Sequence, residues 1–270
     1  MTPLKSLGNS KSAYDDVFCA MVGNSPVTNA VSAAEGNYST TGLILDVDAT
    51  KSSSYGGSGS TWTNIASGGG ANFTIDGATY DSNEGNGSFL FDGSNDIVYS
   101  ASSYNLSSYN YIFVDMAFKA SNTTQIHLVM EHSQSWNSNN GAFGFAVHTD
   151  GNNAQANEHH SNHQSGSSAN WNATVGTGWA VYGCQFAKTG SNQRKQYMNG
   201  QLVNFTTGDA YAGNGSEFGN YVVYLGSRYG AVAPAAGYIG YCRVYGTSSA
   251  LSASTISDNY DVIKNRYGLS

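Results

Sequence analysis

The residues with the clearest potential for metal chemistry lie close together in one polar stretch of the chain. They are Glu158, His159, His160 and His163. His159 and His163 have the i, i+4 spacing that binds zinc when both side chains project from one face of a helix. The flanks are rich in Asn, Ser and Gly and predict a loop over residues 151–168, which removes the geometric reason for that spacing. We therefore expect a surface histidine cluster without a fixed metal.

Carboxylates are the second group with catalytic potential, because glycoside cleavage uses two of them at a defined separation. Acids at alternating positions of one strand would meet this need, since their side chains share a face. Asp115 and Glu131 have no acid at the alternate positions of their predicted strands. Asp46 and Asp48 have the spacing but stand where a strand turns into a loop. The sequence therefore predicts a protein that is not an enzyme, with a glycoside hydrolase as a distant alternative.

Three aromatic residues are placed to contact a sugar. Trp136, Trp171 and Tyr229 lie in loops rich in Asn, Ser and Gly, and sugar sites favour aromatic faces rimmed by amides. Large aromatic side chains also commonly cap the end of a core, which is the alternative for each of them. We predict these three as candidate carbohydrate-binding residues.

The candidate residues must be positioned by the strands of the fold. The chain has short runs of aromatic and β-branched residues separated by clusters of Ser, Asn and Gly, a pattern that is typical of a β-sandwich. In the first long run, 111–118, the even-numbered residues form one apolar face. The other predicted strands of the meander are 126–131, 142–148, 179–188, 196–205, 221–229 and 238–245.

Only the end of the chain has a helical pattern. Four apolar residues recur at helical spacing, with Ser252 as a plausible N-cap and Gly268 placed to stop the helix. Two basic residues, Lys264 and Arg266, fall in the last turn, where the helix dipole favours cations. The apolar face contains Ile256, Tyr260, Ile263 and Tyr267.

The composition excludes several classes of protein. With 40% hydrophobic residues and 19 tyrosines, the 270-residue chain is rich enough in apolar surface to fold as one large domain. The net charge is −7 and the 11 basic residues are scattered, so nucleic acid is not an expected partner. No apolar run approaches membrane-spanning length, and the polar stretch 1–12 is not a hydrophobic signal segment.

The chain has three cysteines, an odd number at no metal spacing: Cys19, Cys184 and Cys242. Cys184 and Cys242 alternate with apolar residues in predicted strands, so the sequence favours buried thiols that pack in the core. A disulfide between these two cysteines stays open as the alternative.

Four motifs in a fixed order carry a family resemblance. They are G-L-I-L-D with S-Y-G-G-S-G-S-T-W-T in 42–63, F-D-G-S-N-D-I-V in 91–98, Y-M-N-G-Q-L-V in 197–203, and G-Y-I-G-Y-C-R-V-Y followed by L-S-A-S-T-I in 237–256. Together the motifs resemble a laminin-G-like, concanavalin-A-type jelly roll. The resemblance covers roughly residues 42–270 and implies an all-β, two-sheet antiparallel sandwich with a short C-terminal helix.

Members of this family often hold a structural calcium near the F-D-G-x-x-D turn. The resemblance therefore implies Asp92, Asn95 and Asp96 as oxygen ligands, which suit calcium. The acidic ligand of a later strand is missing, because Gly240 and Tyr241 occupy its positions. We expect no cofactor, with a structural calcium as the alternative; a hairpin turn rich in Asp and Asn explains the motif without an ion.

Residues 1–36 lie outside the resemblance and are predicted to be an N-terminal arm, followed by a jelly-roll domain at 37–270. The arm either wraps its own sandwich or docks on other chains. The Ser, Asn, Gly and Tyr content and the motifs look like laminin-G-like proteins of tailed bacteriophages. This resemblance implies a virion-surface structural protein, a head decoration or a fibre component, that exposes a lectin-like domain to glycans. A soluble lectin is the rival interpretation.

Overall fold

The computed structural model describes residues 37–134, 141–149, 154–160, 168–171, 176–188, 194–203, 205–207, 217–228 and 233–270. Residues 37–270 form one compact unit. The unit is built from antiparallel strands in two large sheets and ends in one short helix. The predicted all-β antiparallel sandwich with a C-terminal helix is confirmed.

Sheet A has eight described strands, which run β15-β14-β13-β8-β19-β5-β4, with β1 pairing beside β19. Its centre is the long pair β8 and β19, where β-branched and aromatic residues alternate between two buried faces. The strands are β1 (Leu43–Asp48), β4 (Thr79–Asp81), β5 (Ser88–Asp92), β8 (Tyr111–Ala120), β13 (Trp179–Ala187), β14 (Arg194–Met198), β15 (Gln201–Val203) and β19 (Ala236–Thr247).

Sheet B has nine described strands in the order β16-β12-β11-β10-β9-β18-β6-β3-β2. They are β2 (Thr61–Trp62), β3 (Phe73–Asp76), β6 (Ile97–Ser100), β9 (His127–His132), β10 (Phe143–Thr149), β11 (Ala154–His160), β12 (Ser168–Trp171), β16 (Phe205–Thr207) and β18 (Val223–Leu225). A separate ribbon pairs β7 (Tyr104–Asn105) with β17 (Asn220–Tyr221).

The main core lies between the two sheets. Sheet A contributes the predicted apolar face of β8, and sheet B contributes the inward side chains of β3, β6, β10 and β18. Cys184 and Cys242 are both fully buried free thiols in the structure, which confirms the prediction of core thiols over a disulfide. Prominent core residues are Trp62, Phe73, Phe89, Phe91, Ile112, Val114, Met116, Phe118, Phe143 and Leu225.

The C-terminal segment covers part of the outer face of sheet A. Helix α1 (Ala253–Ile263) begins at Ser252, whose side chain accepts a hydrogen bond from the backbone of Thr255, and a 3₁₀ turn (Lys264–Tyr267) continues it. Gly268 adopts a left-handed conformation at φ 66° and ends the segment. The predicted apolar face, cap and stop are therefore all confirmed.

Two predictions of local structure were wrong, one for a strand and one for a loop. Residues 221–229 do not form one strand: Tyr221 ends β17 in the small ribbon, whereas Val223–Leu225 is a strand of sheet B. Residues 154–160, predicted as loop, form β11 and pair with β10 and β12. The Asn-Gly hairpin after β14 does form, with Asn199 and Gly200 both at positive φ as a two-residue turn requires.

Candidate functional site

The predicted sugar-binding residues fall mostly outside the described part of the chain. Trp136 and Tyr229 are not among the described residues, and of Trp171 only the backbone, the last residue of β12, is described. Their role in carbohydrate binding stays a prediction. The arm, residues 1–36, also lies outside the described residues, so its contacts stay a prediction too.

The histidine cluster was predicted in a loop, and this prediction was wrong for its first three members. Glu158, His159 and His160 belong to β11, where the backbone of His159 is paired with Gly144. Strand geometry places successive residues on opposite faces, so this element does not supply the helical spacing that zinc would use. His163 lies outside the described residues. Among the described residues, no group of three His, Cys, Asp or Glu is arranged to hold a metal.

The F-D-G-S-N-D motif, predicted as a hairpin turn, instead connects β5 of sheet A to β6 of sheet B, and these two strands are not paired with each other. Asp96 is buried, and its carboxylate accepts a hydrogen bond from the backbone N–H of Asp92 at 2.8 Å. The carboxylate of Asp92 accepts one from the backbone N–H of Ser94 at 2.7 Å. Burial raises the pKa of Asp96 above its ordinary value. These bonds are those of an Asx-rich turn, and a calcium held by Asp92, Asn95 and Asp96 stays a prediction.

One buried carboxylate occupies the outer face of sheet B. Glu131 on β9 is 1% exposed, and Arg228 places Nε 3.3 Å from its Oε2. The hydroxyl of Ser133 donates a hydrogen bond to Oε1 of the same carboxylate. Burial raises the pKa of Glu131, while Ser133 and Arg228 act in the opposite direction. Both oxygens of this acid therefore already have partners within the protein.

The neighbours of Glu131 across the sheet are known from the strand register. Directly paired residues share a face, and Glu131 is paired with Tyr224 on one side and with Gly144 on the other. Tyr224 is paired in turn with Tyr99 on β6. The directly paired positions on either side of Glu131 are therefore occupied by one aromatic and one glycine residue.

A second charged cluster lies on the outer face of sheet A, and it is buried completely. Strand pairing puts Asp46, Arg243 and Asp115 in one row across β1, β19 and β8. Arg243 is fully buried, with Nε 3.3 Å from Asp46 and Nη2 3.5 Å from Asp48. From the C-terminal segment, Nη1 of Arg266 donates to both oxygens of Asp48, at 2.9 and 3.0 Å. The spacing that sequence alone connects with catalysis thus serves a structural ion network.

The guanidinium of Arg243 is enclosed by aromatic rings. Its Cζ lies 3.5 Å from the ring centroid of Tyr38 and 4.4 Å from that of Tyr241. The hydroxyl of Tyr38 donates to Asp46 and accepts a hydrogen bond from Lys51 at 2.6 Å. Such contacts stabilise a cation that has lost its water. Tyr38 therefore closes the cluster on its solvent side.

The carboxylates of this cluster differ in their proton affinity. Burial alone would raise the pKa of Asp48, but the guanidinium groups of Arg266 and Arg243 hold it below its ordinary value. Burial raises the pKa of Asp115 from 3.8 to about 6, because Arg243 and the hydrogen bond from Tyr241 compensate it only in part. Asp115 is thus the acid of this cluster that titrates close to neutral pH.

Replacing Asp115 by Asn is expected to change how stability depends on pH. The pKa of Asp115 is about 6 in the folded protein and 3.8 in the unfolded chain, so protonation of Asp115 stabilises the folded state. This stabilisation is complete below pH 3.8 and is lost as the pH rises through 6. The stability of the native chain relative to Asp115→Asn should therefore be about 1 kcal/mol greater at pH 5 than at pH 7.5.

Urea unfolding of both proteins at the two pH values measures this difference. The comparison is needed because His132, whose pKa burial lowers to about 4, contributes stability in the opposite sense over the same range. Identical pH dependence of the two proteins would contradict the assignment.

A third cluster is accessible to solvent. We call it the Trp179 patch, formed by Glu84, Lys119, Trp179 and Tyr238. Strand pairing puts Trp179, Lys119 and Tyr238 in one row across β13, β8 and β19. Glu84 reaches this row from the 3₁₀ turn Glu84–Asn86. Its carboxylate accepts hydrogen bonds from the indole N–H of Trp179 at 2.6 Å and from Lys119 at 2.7 Å.

The sequence pattern does not reveal this patch, because Trp179 belongs to the same run of apolar residues as the core positions that follow it. A signal was present in the glycines before it, Gly176 and Gly178, which mark a strand end rather than its interior. The contact with Glu84 joins residues far apart in sequence, so it could be found only from the structure.

The two packed antiparallel sheets define a β-sandwich class that also occurs in glycosidases and in binding domains. The chain is similar in structure to Trypanosoma rangeli sialidase in complex with the inhibitor DANA, with a TM-score of 0.58, 11% identity, and 90% of this chain and 36% of that chain covered. It is also similar to the botulinum neurotoxin serotype D binding domain, with a TM-score of 0.57, 14% identity, and coverage of 82% and 52%.

A third similar structure is a separate domain of an enzyme. Domain 4 of AbnA, a GH43 extracellular arabinanase from Geobacillus stearothermophilus, in complex with arabinotriose, matches with a TM-score of 0.54 and 15% identity, covering 82% of this chain and 98% of that one. This chain spans about a third of the sialidase (36%), and at these identities the likeness establishes the fold. No protein-family model and no curated protein matches the chain.

None of the helices in the described residues is long and apolar enough to cross a membrane.

Proposed function

We propose that this chain is a non-enzymatic carbohydrate-binding β-sandwich, displayed on the surface of a tailed-phage virion as a structural protein. The observation that favours carbohydrate binding over hydrolysis is the environment of the Glu131 carboxylate. Its carboxylate is held by Ser133 and Arg228, and its paired neighbours are Tyr224 and Gly144. A retaining or inverting glycosidase of the usual kind needs a second carboxyl group about 5–10 Å away.

Carbohydrate binding is supported by the fold and by one of the similar structures. Domain 4 of the arabinanase, almost all of which is covered by the match, is a single β-sandwich in complex with arabinotriose. The sialidase match covers 36% of a larger enzyme, so it lends less support to an activity that uses the whole protein. Since one fold hosts many functions, the site itself has to be tested.

The virion part of the proposal rests on the sequence resemblance to laminin-G-like phage proteins and on the predicted arm, residues 1–36. We propose that the arm binds other virion proteins, in a head decoration or a fibre, or copies of this chain. Many weak glycan sites on one particle would then act together, because avidity increases apparent affinity without new contacts. A soluble lectin, the alternative, would have no such partner for the arm.

The absence of hydrolysis is the first testable consequence. The full chain, incubated with the oligosaccharides that it retains on an array, should release reducing ends no faster than buffer. Glu131→Gln should release reducing ends at the same background rate, because the role of the Glu131 carboxylate is to pair with Arg228. Release of reducing ends by the native chain and its loss in Glu131→Gln would establish a hydrolase instead. Chromatography of the recovered oligosaccharide provides the readout.

A further inference from the structure

We propose that the Trp179 patch binds a neutral saccharide, a pyranose or furanose ring with free hydroxyl groups. The inference rests on the carbohydrate-binding function proposed above and names the site and the ligand class. It does not depend on Trp136, Trp171 or Tyr229.

The two aromatic rings of the patch lie on the same face of sheet A. Trp179 and Tyr238 flank Lys119 in one row of sheet A, so both rings project from the same face. Their centroids are 6.5 Å apart, and both side chains are half-buried, which leaves part of each in solvent. A sugar ring presents C–H groups on its faces, and these pack against an aromatic face of this size. The two ring planes are inclined at 48° to each other, so the pair forms an angled aromatic surface rather than one flat platform.

Polar groups suited to sugar hydroxyls, Glu84 and Lys119, lie beside the rings. Both oxygens of Glu84 already accept one hydrogen bond, from Trp179 at 2.6 Å and from Lys119 at 2.7 Å. A carboxylate has about four acceptor positions, so about two remain for sugar hydroxyl groups, and Lys119 has three donors. The side chain of Glu84 is 24% exposed and that of Lys119 is 30% exposed. Donors and acceptors are thus fixed in place before a ligand arrives, which lowers the entropy cost of binding.

The charges of the patch favour a neutral ligand. The patch contains one carboxylate and one ammonium group in direct contact, 2.7 Å apart, and together they carry no net charge. A uronic or sialic acid would bring its carboxylate toward Glu84 without an uncompensated cation to receive it. A neutral sugar avoids this repulsion and uses both groups through its hydroxyls.

The indole ring is also supported from behind. Tyr267 packs against Trp179 with a centroid distance of 4.5 Å. Gly85, at φ 59°, lies so close that a Cβ there would stand 2.9 Å from atoms of both rings. The indole ring is therefore held in place by Tyr267 and by the close approach of the Gly85 backbone.

A purely structural role for Trp179 predicts a different outcome. In that case the ring would cap the small cluster under the C-terminal segment, and its removal would affect stability alone. Binding measurements on folded variants separate the two roles.

The test uses the full chain and immobilised probes: maltohexaose, cellohexaose and arabinotriose as neutral sugars, and sialyllactose as an acidic one. Native protein should bind at least one neutral probe at least about tenfold more tightly than sialyllactose, a difference of 1.4 kcal/mol. Trp179→Ala and Tyr238→Ala should each weaken that binding about tenfold, while Trp179→Tyr restores most of it. Glu84→Gln should also weaken it, because the fixed carboxylate is lost.

Matched controls make the outcome decisive. Tyr99→Ala changes a half-buried tyrosine of sheet B and should leave binding within about twofold. A double variant, Trp136→Ala with Trp171→Ala, removes two of the residues predicted from sequence to bind sugar and is called the loop variant after their predicted positions. Circular dichroism confirms that each variant is folded. If native protein binds but only the loop variant loses binding, the Trp179 patch is not the site and the proposed function stands. If sialyllactose is preferred, the ligand class is wrong. If native protein binds no probe, both proposals are overturned.

Discussion

Replacing Arg243 by Met is expected to destabilise the folded protein by about 3–5 kcal/mol. Arg243 is fully buried in contact with Asp46 and Asp48, and Asp115 lies 4.0 Å from its Nη1. Met fills much of the same volume, so the packing loss is small and the effect comes from charge. Without the guanidinium, the carboxylates face each other in a site that water does not reach, which is strongly unfavourable.

Guanidinium chloride unfolding of the two proteins measures the change. The matched control is Lys188→Met, which removes a cation 3.3 Å from Glu217 on the surface, where the partner is 64% exposed. An exposed pair of this kind contributes at most about 1 kcal/mol. Arg243→Met within 1 kcal/mol of the native protein would mean that the cluster does not depend on this cation.

Replacing Trp62 by Ala is expected to cost about 3–5 kcal/mol of stability. Trp62 is fully buried in the main core, and its ring lies 4.6 Å from that of Phe89. Its removal leaves a cavity between the two sheets that a rigid sandwich closes only in part. Thermal unfolding followed by circular dichroism detects a loss of this size easily.

Two variants calibrate that result. Trp62→Phe keeps an aromatic ring and should recover more than half of the loss. Trp179→Ala removes a tryptophan that is half-buried, so it should cost about 1–2 kcal/mol and leave the protein folded for binding studies. If Trp62→Ala were no more costly than Trp179→Ala, the core position of Trp62 would be wrong.

The parts of the fold that sequence predicted well depend on local patterns. The cap at Ser252, the apolar face of α1 and the left-handed Gly268 are all determined by residues a few positions apart. The long strands β8 and β19 were predictable for the same reason. In each of them, apolar residues alternate with other residues or follow one another over many positions. Such signals act over one turn or one pleat, so no tertiary information is needed.

The sites depend on contacts between distant parts of the chain. Asp46 and Asp48 lie at the end of β1, as the sequence predicts, but the sequence does not show that they bind Arg243 and Arg266. Only strand register brings Asp46 beside Arg243, a separation of 197 residues. The same holds for Glu84 and Trp179, which are 95 residues apart. Side-chain type marks such residues as polar or aromatic but does not say which partner each one has.

The strand break near Tyr221 has a physical reason that periodicity does not show. Tyr221 pairs with Tyr104 in the small ribbon, whereas Val223 pairs with His132 in sheet B, so the chain changes partners between them. Both halves have the same β-forming residues, and the sequence therefore predicts one continuous strand. Similarly, the polar composition of Ala154–His160 favours a loop, but pairing with β10 overrides it.

The contacts of Tyr38 and Ser39 determine where a pulling force on the chain before them would act on this domain. Ser39 donates its backbone N–H to Asn259 of α1 at 2.8 Å, and Tyr38 stacks on Arg243. The segment that enters the sandwich and the helix that closes it are thus fastened to the same outer side of sheet A. Mechanical tension applied along the entering chain would act first on this fastening and on the β1–β19 pair, where Asp46 and Arg243 lie directly opposite. The ion pair between Asp46 and Arg243 therefore lies in the first strand pair that such tension would load.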